Sequence, residues 1–343
     1  MIGGIGRHTY QMFSSLKDRD VLFFSPSAGS LSRHIPIHFP PIRLLKQAGV
    51  SLWLHFNALR IISEYHLDRM NIHAGPGGVL CVRRLPVPVI VTCHHTYLQQ
   101  VGHIRSQFWK RIFVPFERKT YQLAARIVSV SEATKSALVE KYHIAADKIV
   151  VIHNAVDAER FHPLETGKTP RTLLYVGRID KRKGIEFLIR SMVRVRDQLP
   201  DVHLLVGGKG DCLEKMKSLV GRLKLESNVT FLGFVPEDQL NELYNRAQCV
   251  VVPSIFEGFG ITVIEALAAG TRVIGTDVDG IREILQGEES GRLVPYGNQR
   301  ALAEAIVEEL IRPGKVGILR PEYRIEQFGT RYLQLLEEAD PNV

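Results

Sequence analysis

Residues 249–275 read Cys249-Val250-Val251-Val252-Pro253-Ser254-Ile255-Phe256-Glu257-Gly258-Phe259-Gly260-Ile261-Thr262-Val263-Ile264-Glu265-Ala266-Leu267-Ala268-Ala269-Gly270-Thr271-Arg272-Val273-Ile274-Gly275. A β-branched run, Cys249–Pro253, ends at a glycine-containing loop. An apolar helix over Ile261–Ala269 stops at Gly270, and a second β-branched run resumes at Arg272–Gly275. Strand, loop, helix and strand in so short a span make the repeat of a parallel α/β fold. Upstream the same rhythm predicts strands at Leu173–Val176, His203–Val206 and Val229–Leu232, with helices at Gly184–Asp197 and Asp211–Leu223. Together they predict a Rossmann-like domain, where ligands bind beyond the carboxyl ends of the strands.

The glycine loop is also the first candidate site. A helix that starts near Phe259 or Gly260 offers free amides and the positive end of its dipole, which suits a diphosphate. Gly258 and Gly260 let the backbone approach a ligand closely. Glu257, before the helix, and Glu265, on it, can accept hydrogen bonds from sugar or ribose hydroxyls. The ordinary alternative is a solvated helix glutamate beside glycines that only shape a turn. A second signal sits at the end of Leu173–Val176: Gly177-Arg178, then Lys183-Gly184 five residues later, two cations placed to neutralise a pyrophosphate. Alone, Lys181-Arg182-Lys183 is a common solvated charge run.

Toward the amino terminus the pattern predicts strands at Val21–Phe24, Val89–Thr92, Ile127–Val130 and Ile149–Ile152, and a Ser-capped helix over Ser131–Tyr142. Phe161–Thr172 reads as a linker, and a last helix over Tyr323–Ala339 carries Phe328, Tyr332 and Leu336 as one apolar stripe. The 343 residues suffice for two domains, assigned to 1–160 and 161–322, with 323–343 as the closing helix. Four single cysteines, Cys81, Cys93, Cys212 and Cys249, argue against a zinc cluster or disulfide framework and for a reducing compartment. No apolar run is long enough to span a bilayer, and Met1-Ile2-Gly3-Gly4 does not read as a signal peptide, so a cytoplasmic protein is expected.

The net charge of +8 is unevenly placed: residues 1–160 hold 20 Lys+Arg against 10 Asp+Glu, and the rest 24 against 26. Two explanations stand: a solvated basic face, or an anionic partner such as a phospholipid surface or lipid-phosphate acceptor. Nucleic acid is not expected, because no binding motif accompanies the charge. Phe108, Trp109, Ile112, Phe113 and Phe116 share a helical face with Lys110, Arg111, Arg118 and Lys119 around it. That helix either faces the core or lies on an anionic membrane.

Taken together, these segments resemble the GT-B glycosyltransferases of family 4 over nearly the whole chain. The resemblance rests on Gly3-Gly4-Ile5-Gly6-Arg7, Val128-Ser129-Val130-Ser131-Glu132, Ile152-His153-Asn154-Ala155-Val156-Asp157, the Gly177-Arg178…Lys183-Gly184 pair, and Glu257 to Glu265 as the E-x7-E signature. It implies two Rossmann-like domains facing across a cleft, with the last helix returning to the first domain. It further implies a retaining hexosyltransferase that moves a sugar from a nucleotide-diphosphate sugar (a UDP- or GDP-sugar) to a hydroxyl of a glycan or lipid-linked acceptor, by front-face attack and without a metal. Arg178 and Lys183 should grip the diphosphate, Glu257 the sugar and Glu265 the ribose. Backbone amides of Gly258, Phe259, Gly260, Ile261 and Thr262 should touch sugar and phosphate, and Gly3 and Gly4 should approach the donor from the other domain. His94 matches the histidine that contacts the sugar; the alternative is a histidine capping the core.

Three departures accompany it. Only Met1 and Ile2 precede the glycine loop where the family has a full first strand, which raises the alternative of a non-catalytic or impaired nucleotide-sugar-binding protein. Asp279-Gly280 replaces a Gly-Gly pair, and Asn154-Ala155-Val156 an Asn-Gly-Val turn. The strings Asp18-Arg19-Asp20 and Asp277-Val278-Asp279 read as incidental rather than as manganese ligands. An epimerase or phosphorylase on the same scaffold fits the E-x7-E spacing less well. A dehydrogenase is not expected, because no strand precedes Gly3-x-x-Gly6.

Overall fold

The computed structural model describes residues 4–16, 20–25, 34–36, 46–74, 82–287, 289, 291–312, 314 and 316–338. They form two compact units. The amino-terminal unit holds Gly4–Asn154 and the segment from Glu326 onward; the inserted unit is Ala155–Ile325. The division therefore falls at Asn154 rather than at residue 160.

The amino-terminal unit runs α1 (Gly4–Ser15), β1 (Phe23–Ser25), β2 (His34–Pro36), α2 (Lys46–Glu64), β3 (Met70–Ala74), β4 (Val89–Cys93), α3 (Tyr97–His103), α4 (Val114–Leu123), β5 (Arg126–Ser129), α5 (Glu132–Tyr142) and β6 (Ile149–Val151). Strands β3-β4-β5-β6 form a parallel sheet in that order, and β1 pairs with β2 separately. Ser131 caps α5 as its sequence predicts, accepting from Thr134 N. The strand expected at Val21–Phe24 occupies Phe23–Ser25.

The stretch around Trp109 differs from expectation. A 3-10 helix covers Arg105–Phe113, and the α-helix begins only at Val114, where Pro115 fits the first turn. The five apolar side chains therefore do not share one α-helical stripe. Phe108, Trp109, Ile112 and Phe116 are 59%, 57%, 64% and 45% exposed, which overturns the core-facing alternative for these four. Helix α4 instead buries Glu117, Thr120 and Tyr121. The carboxylate lies inside and the phenyl ring outside.

The inserted unit follows with β7 (Thr169–Val176), α6 (Ile185–Gln198), β8 (His203–Gly207), α7 (Leu213–Arg222), β9 (Val229–Gly233), α8 (Leu240–Arg246), β10 (Ala247–Val252), α9 (Ile261–Ala268), β11 (Arg272–Thr276), α10 (Asp279–Leu285), β12 (Gly291–Val294) and α11 (Gln299–Ile311). Its six parallel strands lie in the order β12-β11-β10-β7-β8-β9. Central strands buried on both faces must be apolar throughout, and Leu173, Leu174, Val250 and Val251 meet that need. From β7 the chain winds outward through β8 and β9, then returns to β7's other side at β10. This reversal is the topological switch point of a doubly wound sheet, the place where such sheets bind ligands beyond the strand ends.

Helix α12 (Ile325–Glu338) belongs to the amino-terminal unit. It starts after a 3-10 turn at Pro321–Tyr323, and it buries Phe328, Tyr332 and Leu335, whereas Leu336 is half-buried. Arg331 Nη1 donates to the Val151 carbonyl at 3.3 Å, and Arg69 donates to that of Leu336. Among the described residues no helix is long and apolar enough to cross a membrane.

Candidate active site

At the switch point, Gly177 N donates to Gly207 O at 3.0 Å as β7 ends. The chain then makes a 3-10 turn at Lys181–Lys183, capped by the Asp180 carboxylate, which accepts from Lys183 N at 3.0 Å. The turn closes at Gly184, whose φ is +67°; a Cβ there would stand 1.8 Å from the Pro253 carbonyl oxygen. Only glycine takes that backbone shape without penalty and lets the two loops touch. Ile255 N donates to Arg182 O at 2.8 Å and fixes the contact.

The touching loops bring Glu257 against two cations. Glu257 is 7% exposed. Its Oε1 accepts from Lys183 Nζ and from Ser254 Oγ at 2.9 Å, and its Oε2 accepts from Arg182 Nη1 at 3.2 Å. Arg182 Nη1 also donates to Phe256 O at 3.0 Å. Burial by itself would raise the Glu257 pKa, but Lys183 and Arg182, with the Lys183 and Ser254 hydrogen bonds, hold it at about 2. Burial pulls the Lys183 ammonium downward, opposed by the same carboxylate.

The neighbouring residues set the loop's shape. Gly260 takes φ +114° just before α9. Gly280 N donates to Glu257 O at 3.2 Å, and a Cβ on Gly280 would lie 2.4 Å from Phe259 Cα. The second glycine of the family's pair is thus the one that packing requires, and Asp279 is tolerated as the first residue of α10. Glu265 is 2% exposed and its Oε2 accepts from Tyr244 OH at 2.8 Å, so it is not a solvated helix residue. Phe259 is buried edge-on to Tyr323, with ring centroids 5.5 Å apart. Thr262 Oγ1 reaches toward Val176 O at 3.5 Å. Asp277 Oδ1 accepts from Arg282 Nε at 2.6 Å, which uses one carboxylate of the second D-x-D string in a local ion pair.

Arg178 stands apart from Glu257. Its Nη2 lies 3.2 Å from Asp180 Oδ2 and its side chain is 63% exposed. The predicted Lys183 and Glu257 are brought together, with Arg178 at the same strand end. Arg182 and Ser254 are site residues that sequence reasoning missed. Three cations (Arg178, Arg182, Lys183) face two carboxylates (Asp180, Glu257), leaving one positive charge in excess.

In the amino-terminal unit, Gly4 opens α1, and Gly3 lies outside the described residues. His94 follows β4, is 6% exposed, and stacks on His73 with Nε2 3.0 Å from His73 Nδ1. His8 packs edge-on to both. His8 Nδ1 donates to Asn154 Oδ1 at 2.6 Å, and its Nε2 lies 2.7 Å from Tyr332 OH. His8 thereby ties α1 both to Asn154 in the Asn-Ala-Val turn and to Tyr332 on α12. Burial depresses His8 to about 4 and His73 to about 3, and takes His94 well below its usual value, with neighbouring imidazoles adding to it at His73 and His94. Glu117 is pushed the other way, to about 7, by burial against hydrogen bonds from Tyr142, Tyr97 N and Tyr121.

These shifts predict the pH dependence of this unit. A histidine with a depressed folded pKa contributes stability that is present above 6.5 and lost as pH falls. A carboxyl with a raised folded pKa contributes stability below its unfolded value that is lost as pH rises through about 7. Three histidines outweigh one carboxyl, so from pH 7 to pH 5 a net loss of about 3 kcal/mol is expected. Both tryptophans, Trp53 and Trp109, lie in this unit, so tryptophan fluorescence in urea reads it directly. A midpoint equal or higher at pH 5 would refute the assignment of neutral, buried histidines.

Residues 157–310 match the family described as glycosyl transferases group 1, and residues 2–160 match glycosyltransferase family 4. The phosphatidyl-myo-inositol mannosyltransferase of Mycobacterium tuberculosis is 33% identical over 341 residues, covering 94% of this chain and 86% of that protein. An uncharacterized glycosyltransferase of Methanocaldococcus jannaschii is 31% identical over 230 residues, 63% of this chain and 58% of that protein. Among solved structures, sucrose-phosphate synthase from Thermosynechococcus elongatus aligns with a TM-score of 0.84 at 22% identity, covering 98% of this chain and 93% of that one. Anabaena HepE in complex with UDP-glucose aligns at 0.78 and 18%, covering 98% and 97%. Parallel sheets in the doubly wound order, an E-x7-E segment at the switch point and these matches agree: the chain belongs to glycosyltransferase family 4 and has the GT-B fold.

Proposed function

We propose that this protein transfers a hexosyl group from a nucleotide-diphosphate sugar to a hydroxyl acceptor with retention of anomeric configuration and without a metal. The observation that carries the reading is the cluster of Lys183, Arg182, Ser254 and Glu257, brought together by the touching loops at the switch point. Lys183, Arg178 and the amino end of α9 supply positive potential where a departing diphosphate gains charge. Glu257 accepts from the hydroxyls of the transferred sugar, and Glu265 from the ribose. The bond between the anomeric carbon and the phosphate oxygen breaks while the bond to the acceptor oxygen forms on the same face. The departing phosphate oxygen takes the acceptor's proton, so the reaction needs no separate general base. The test is thermal shift and donor turnover across UDP-, GDP- and ADP-sugars. One nucleotide family should stabilise the protein, and Lys183→Ala should abolish the effect, a loss of at least about 100-fold in affinity for a buried cation on a diphosphate. A folded protein indifferent to every donor sinks the reading.

The acceptor is proposed to be lipid-linked and met at an anionic membrane surface. Phe108, Trp109, Ile112 and Phe116 stand out from the protein, with Arg111 over the Phe108 ring at 5.1 Å and Lys119 exposed nearby. Exposed aromatic side chains flanked by cations settle into anionic interfaces, and one relative's name specifies a phosphatidylinositol substrate. Vesicles containing phosphatidylglycerol should float the wild type at low salt but not a Phe108→Ser/Trp109→Ser variant. Equal flotation of both, or of neither, removes this surface from the account.

A further inference from the structure

Lys183 and Arg182 both meet Glu257, yet their surroundings differ. The Lys183 ammonium is bonded to Glu257 Oε1, an oxygen that Ser254 Oγ also holds. The Arg182 guanidinium is tied twice, to Glu257 Oε2 and to the Phe256 carbonyl, while its own carbonyl accepts from Ile255 N at 2.8 Å. Arg182 is thus fastened to the loop that carries Glu257 at three points, two by side chain and one by backbone. Its side chain is 19% exposed. A flexible ammonium with one carboxylate partner can turn to a new anion; a guanidinium whose Nη1 is shared between a carbonyl and a carboxylate stays where it is.

We infer that Arg182 is a positioning residue for the transfer reaction: it keeps Glu257 ionised and aimed when Lys183 leaves to bind the donor diphosphate. The inference rests on the donor-site reading above. Lys183 and Ser254 fill both lone pairs of Oε1, so a sugar hydroxyl reaches that oxygen by exchange. Lys183 moves to the diphosphate, and a sugar hydroxyl takes its place on Oε1. Without a second cation, the buried carboxylate would then face only neutral donors, and burial would favour its protonated form. A protonated Glu257 presents one acceptor fewer to the sugar. Arg182 prevents this because the Phe256 carbonyl holds it in place throughout.

Arg182→Met, Arg182→Lys and Lys183→Ala separate the two roles, with nucleoside diphosphate binding and donor turnover measured on each. Arg182→Met should lower kcat by about 10- to 100-fold, the worth of a charged hydrogen bond. Its affinity for the free nucleoside diphosphate should stay within about twofold of wild type, because that ligand lacks the transferred sugar that Glu257 holds. Arg182→Lys restores the charge, but its ammonium is one bond short of the place that Nη1 occupies, so it should recover part of the turnover. It also carries the test if Arg182→Met does not fold. Lys183→Ala should instead lose nucleoside diphosphate binding. Diphosphate affinity falling in Arg182→Met as it does in Lys183→Ala would make Arg182 a diphosphate ligand and overturn the inference. Unchanged turnover in both Arg182 variants would overturn it as well. If the wild type itself binds no nucleoside diphosphate, it is the donor reading that fails, and the positioning role falls with it.

Discussion

Gly184→Ala is expected to cost the inserted unit more than about 3 kcal/mol and to remove donor binding, whereas Gly233→Ala should cost about 1 kcal/mol. The two glycines have nearly the same backbone, φ +67° and +70°, so both substitutions carry the left-handed penalty of a side-chain-bearing residue. They differ in what a methyl group would meet. At Gly233 nothing lies within 4 Å; at Gly184 the Pro253 carbonyl oxygen stands 1.8 Å away and belongs to a buried loop. To admit the methyl group, Pro253 must retreat, and Ser254 and Glu257 retreat with it. Urea unfolding followed by circular dichroism measures both variants. Equal losses would mean that the two loops do not touch as described.

Glu257→Gln tests the electrostatics without changing the shape. The amide leaves Lys183 and Arg182, 20% and 19% exposed, without their carboxylate. Removing one partner of a buried ion cluster leaves uncompensated charge, and about 3 kcal/mol of stability should be lost. Turnover of the donor should fall about 100-fold or more, since a neutral amide holds the sugar's hydroxyls less well as charge develops. Free nucleoside diphosphate should bind as well as before or better, because Lys183 no longer has to leave a carboxylate to reach it. Loss of diphosphate binding together with turnover would place Glu257 on the wrong part of the ligand.

Both variants concern a region whose outline was readable from residue order alone. Strands β7, β8, β10 and β11 were legible because a parallel sheet covered on both faces demands unbroken apolar runs, and Gly177, Gly258 and Gly270 punctuate them. Lys183 and Glu257 were legible through spacing. Arg182 was not. In Lys181-Arg182-Lys183 nothing marks which side chain turns inward; the direction is set by the Asp180 cap and by a loop more than 70 residues away. Glu117 was hidden for a similar reason. It sits in a basic, aromatic run, and its burial depends on Tyr97, Tyr121 and Tyr142, which come from three different helices. Helix α2 escaped notice because Leu52, Trp53, Leu54 and Phe56 leave no clear polar face, and Leu52, Phe56 and Leu59 stay exposed. The 3-10 geometry before α4 could not be told from an α-helical pattern by spacing alone.

The position of α12 has a consequence for synthesis on the ribosome. The amino-terminal unit is assembled from both ends of the described chain, with His8, Thr92 and Tyr332 meeting in its interior. Among the described residues the inserted unit, by contrast, is one continuous stretch. At roughly 5–20 residues per second, Tyr332 is translated on the order of ten to forty seconds after Asn154. Throughout that interval, the emerging amino-terminal half lacks the aromatic helix whose Phe328 and Tyr332 pack on His8. The inserted unit, translated later, can close first, and the half made earlier is the one that waits exposed to chaperones and proteases.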